Sequence, residues 1–145
     1  MMKEMAILMV NSLVASVITS MVVAPLLVWA ARRLAGIKVG FMRGYIAVVL
    51  VEVSAAWVQI VGVMVLGFYL PLLTNHWASW VLQALTLLAA GWLLLPLLLR
   101  PVRDSRLAPG QKITLCLTLM VMVMVKNAAM LYIYLTFFYK PIPGV

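Results

Sequence analysis

Two ionisable side chains, Glu52 and Lys126, lie deep inside apolar runs of this sequence. A carboxylate and an ammonium in such a setting can form a hydrogen-bonded pair that locks helices together, or relay protons or ions. Lys126 stands about 14 residues from both Lys112 and Lys140, or about 21 Å along a helix, near the middle of a bilayer about 30 Å thick. A lone ammonium at that depth costs about 3 kcal/mol or more, so a partner is expected. Glu4 and Asp104 fall outside the apolar runs, which leaves Glu52 as the acidic candidate. Gln59 follows Glu52 by about two helical turns on the same face, and Asn127 adjoins Lys126. Glu52, Gln59, Lys126 and Asn127 therefore form an expected intramembrane polar cluster, with Ser54 a candidate neighbour. Its expected role is to fix the pairing of the second and fourth helices. A proton relay is the thinner reading, because mutual pairing holds both groups charged and no further titratable group lies along the path.

Other residue types offer less chemistry. Cys116 is the single cysteine and His76 the single histidine, so neither a disulfide within the chain nor a metal-ligand set is expected. Met120, Met122 and Met124 resemble a copper ladder, but alternate residues of a helix point apart, so they read as adaptable packing. The sequence lacks a Walker loop, an HExxH pair, a Ser-His-Asp set and zinc spacing. No histidine inside an apolar run could hold haem. No catalytic, cofactor-binding or metal-binding residues are expected, and the chain reads as non-enzymatic.

The elements that must position the cluster follow from composition. Hydrophobic residues make up 67% of 145 and charged residues 10%, far from a soluble domain that is about half apolar and about a quarter charged. Mean hydropathy is +1.18. So much apolar surface requires lipid, which selects helices that satisfy their own backbone. Four solid apolar runs, Met5–Ala31, Tyr45–Leu73, Trp80–Leu99 and Ile113–Tyr139, predict four transmembrane helices in one domain. The first run continues to Arg32 and Arg33, so it reads as a helix and not as a cleaved signal. Pro25 and Pro96 are expected to kink or end their helices.

Of the net charge of +8, +7 sits in two loops, a distribution that argues against a nucleic-acid footprint. Residues 32–44 hold Arg32, Arg33, Lys38 and Arg43, and residues 100–112 hold Arg100, Arg103, Arg106 and Lys112. Basic loops stay cytoplasmic and meet anionic headgroups. Both termini are then expected on the outer side, the periplasm of a bacterium, with the chain in the inner membrane. Trp77 and Trp80, with Tyr132, Tyr134, Phe137, Phe138 and Tyr139, fit an aromatic belt at the outer interface, and Trp29, Phe41 and Tyr45 one at the inner.

Ser12, Ser16, Ser20 and Ala24 recur every fourth residue, a small-residue stripe that permits close helix approach. Asn11 and Thr19 lie beside it. The two basic loops also share a pattern: Arg33-Leu34-Ala35, then Gly36 and Lys38, against Arg106-Leu107-Ala108, then Gly110 and Lys112. The offset that superposes Lys38 on Lys112 also superposes Glu52 on Lys126, so the chain reads as two similar helical hairpins.

The expected function is that of a scaffold, assembly or stabilising subunit of a larger membrane complex, with other membrane subunits and anionic lipids as partners. A small homo-oligomeric transporter or channel using Glu52, Gln59 and Lys126 is the alternative. An anionic-lipid-associated factor is the third.

Overall fold

The computed structural model describes residues 2–66, 76–99 and 106–138. Within them lie four helices: α1 (Met2–Leu34), α2 (Phe41–Leu66), α3 (His76–Leu98) and α4 (Pro109–Phe137). Each is long and apolar enough to cross a membrane, which suits the chain to integration in one. The far end of the second expected run, 67–73, lies outside the described residues, as does Tyr139.

Helix ends differ from the apolar runs by a few residues, for local reasons. α2 begins at Phe41 directly after Gly40 and so includes Arg43, which apolarity alone excludes. α4 begins at Pro109, which needs no N–H partner in a first turn. The Gln111 side chain completes that start by accepting the Ala108 N–H at 3.0 Å. Its amide then donates to the Ala35 carbonyl at 2.8 Å and so joins the two basic loops. After α1, Gly36 turns the chain at φ 65°, and Ile37 N–H returns to the Ala31 carbonyl at 2.9 Å. Pro25 and Pro96 both lie inside continuous helix, so neither terminates its element. Pro96 stands so near the end of α3 that little helix remains to distort.

The helices run antiparallel in a ring. Tyr45 donates to the Val17 carbonyl at 2.8 Å and Trp57 to the Met9 carbonyl at 3.3 Å, which sets α2 against α1. Gln59 donates to the Ser79 carbonyl at 3.3 Å across α2 and α3. α3 and α4 meet where Gly91 faces the Cys116 thiol, and α4 closes the ring against α1. α2 and α4 consequently lie across a diagonal. Glu52 of α2 and Lys126 of α4 meet across that diagonal.

The apolar core fills the half of the bundle beside the basic loops. Leu27, Val48, Val51, Leu95, Leu115 and Leu119 are buried there. Met120, Met122 and Met124 pack partly buried against this core. Gly44 allows α1 and α2 to approach, since a Cβ there would stand 2.6 Å from Val28 Cγ2. The opposite half, which holds the start of α1 and the end of α4, is packed differently and contains the site.

Candidate polar site inside the bundle

Lys126 reaches from α4 across the diagonal to α2. Its Nζ lies 2.5 Å from Glu52 Oε2, and the glutamate is 5% exposed. Residues of helices lean toward their own N-terminus, which carries the lysine from its Cα toward the level of Glu52. Nζ also donates to Thr19 Oγ1 of α1 at 3.0 Å, and Thr19 in turn donates to the Ala15 carbonyl at 2.8 Å. One hydroxyl therefore accepts from the ammonium while it gives its own proton to its helix. Three helices converge on one cation.

A cavity of about 260 Å³ opens beside this pair. Ser12, Ser16 and Thr19 of α1 line it, with Glu52 and Gln59 of α2, Gln83 of α3, and Lys126 and Asn127 of α4. Leu87 and Val123, both buried, form apolar wall toward the core. The cavity therefore lies toward the half away from the basic loops, and the buried core, which shares Ala55, Leu87 and Val123 with its wall, extends toward the other.

All four expected cluster residues, Glu52, Gln59, Lys126 and Asn127, line this cavity, and of these Glu52 and Lys126 are bonded to each other. The Gln59 amide N–H is directed to the Ser79 carbonyl, leaving the Glu52–Lys126 contact to Thr19. Ser54 belongs elsewhere: it lines an apolar crevice between α2 and α3 with Val58, Thr86 and Leu93. The small-residue stripe divides in two. Ser20 and Ala24 are fully buried, whereas Ser12 and Ser16 line the cavity. Ser12 itself donates to the Met9 carbonyl at 2.8 Å.

Two residues carry roles beyond the expected cluster. Thr19 is the third partner of the pair, and its signal was its place on α1 beside the serine stripe. Gln83 completes the polar lining from α3, signalled only by its being an amide within an apolar run. Among the described residues, the buried side-chain atoms without a hydrogen-bond partner are Ser20 Oγ and Glu52 Oε1. No group of three or more His, Cys, Asp or Glu comes together there to hold a metal ion.

The basic residues occupy the far end. Arg32, Arg33, Lys38, Arg43 and Arg106 are exposed, while Lys112 is half-buried with Nζ 5.7 Å from the Trp92 ring centroid. Arg100 and Arg103 lie outside the described residues, as does the His76 side chain. Tyr45 donates its hydroxyl to the α1 backbone and stacks with Phe41 at 6.2 Å.

No family model, curated protein or solved structure matches the chain. The reading of its function therefore rests on the geometry above.

Proposed function

We propose that the chain is a non-enzymatic integral subunit that scaffolds or stabilises a larger membrane complex, docking through the distal length of α4 and the adjoining start of α1. The observation that carries this is the exposure of every residue from 128 to 138. A helix packed within its own bundle hides one face, but these three turns hide none. Tyr132, Tyr134, Phe137 and Phe138 stand there, large amphipathic or apolar side chains of the kind enriched where proteins meet. The proposed placement is the bacterial inner membrane, with basic loops in the cytoplasm, both termini outside, and two hairpins of one orientation. Anionic lipids surround the basic loops in this reading.

A photo-crosslinker at Tyr132 or Tyr134 should then give protein adducts, while one at lipid-facing Val121 gives none. Purification in mild detergent should recover a partner in fixed ratio. An adduct of twice the chain mass would identify the partner as a second copy. A homogeneous monomer without adducts would sink the proposal.

The polar cavity favours a second reading, a small transporter or channel in which Glu52, Gln59 and Lys126 line the path. Flux into liposomes that collapses in folded Glu52→Gln would support it over a purely structural subunit.

A further inference from the structure

We propose that the cavity beside Glu52 and Lys126 is a binding site for a small, net-neutral solute carrying both a hydrogen-bond donor and an acceptor. This goes beyond the docking role and does not rest on it.

Charge comes first. The lining carries one carboxylate and one ammonium, already in contact, so its formal charge balances. An added ion of either sign would bring an uncompensated charge into a low-dielectric setting, which is costly. A zwitterion or an uncharged polar molecule brings none.

Unused hydrogen-bonding capacity comes second. Lys126 has three N–H donors, of which Glu52 and Thr19 take two. Glu52 Oε1 accepts from nothing, in a residue that is 95% buried by the complement of its 5% exposure. Glu52 is one of the residues that line the cavity. The side-chain amides of Gln83 and Asn127 line the same space with no hydrogen-bond partner among the described residues, and each offers both donor and acceptor. A buried oxygen such as Glu52 Oε1 is normally satisfied, whereas the two amides are only partly buried. Donors and acceptors stand side by side, which suits a solute that offers both.

Size comes third. At about 30 Å³ per water, 260 Å³ corresponds to about eight or nine waters. That is room for a molecule of several heavy atoms and too little for a bulky ligand. The buried core on the other side leaves the terminal half as the direction of entry.

Labelling of a cavity cysteine tests the assignment. In a Cys116→Ser background, Gln83→Cys would be reacted with a small thiol reagent in the presence of glycine, glycerol, methylammonium or acetate. Asn127→Cys provides a second reporter should the first fail to fold, and Val121→Cys a lipid-facing control. Glycine or glycerol should slow cavity labelling severalfold, methylammonium and acetate should not, and the control should ignore all four. Protection by glycine alone assigns a zwitterion, and by glycerol as well an uncharged polar solute. Glu52→Gln leaves the lining with a positive charge, so acetate should then protect. Labelling indifferent to every solute would mean water alone and overturn the proposal. So would equal protection by the charged probes, or unchanged selectivity in Glu52→Gln.

Discussion

At the scale of residues, the energetic weight of the bundle falls on an asymmetric trio. Lys126 has two protein partners, Glu52 has one, and Thr19 serves both the lysine and its own helix. Removing one member of a buried pair leaves an unmatched charge, which costs about 3–5 kcal/mol. Glu52→Ala and Lys126→Ala should each lower unfolding stability in mixed micelles by that order, and the double variant should cost less than the two together. Simple additivity would show that the charges do not support one another. Thr19→Val should cost about 1.5–3 kcal/mol in the same assay, because a hydrogen bond to an ammonium is lost without loss of volume. Thr19→Ser should retain most of it. The pair was legible in the sequence because an apolar surround isolates the few ionisable groups. Thr19 was not, because a threonine in a membrane helix commonly bonds back to its own carbonyls. Its second bond depends on the register between α1 and α4, which no local pattern encodes.

At the scale of elements, close approach and end chemistry decide the arrangement. Gly44→Ala would place a methyl 2.6 Å from Val28 Cγ2, and valine has few rotamers through which to yield. Stability in mixed micelles should fall by about 1–3 kcal/mol, the usual cost of overpacking. An unchanged midpoint would mean that α1 shifts freely. Four helices were plain from the apolar runs, yet their starts were not. Charge was read as the mark of a loop, whereas Arg43 sits within the first turn of α2 and Pro109 opens α4 ahead of Lys112. Gln111, which caps α4 and grips Ala35, carries no apolar signal at all. The diagonal placement of α2 and α4 was equally silent, since apolarity on every face leaves little directional pattern for lipid-embedded helices.

At the scale of the whole molecule, the described bundle has its buried apolar core toward one half and the polar cavity that makes the other half hollow. The positive-inside argument predicts which half meets the cytoplasm. In a Cys116→Ser background, an impermeant thiol reagent outside sealed cells should label Lys3→Cys, and Lys38→Cys only after the membrane is permeabilised. The reverse result would invert the proposed orientation and place the hollow half inside.

The diagonal contact between Glu52 and Lys126 also bears on how the chain is made. Each hairpin supplies one charge, and the two meet only when α4 has taken its place in the ring. Until the second hairpin delivers its ammonium, Glu52 of the first lacks that partner. A chain cut short before α4 should therefore leave Glu52 without the ammonium that the whole bundle gives it.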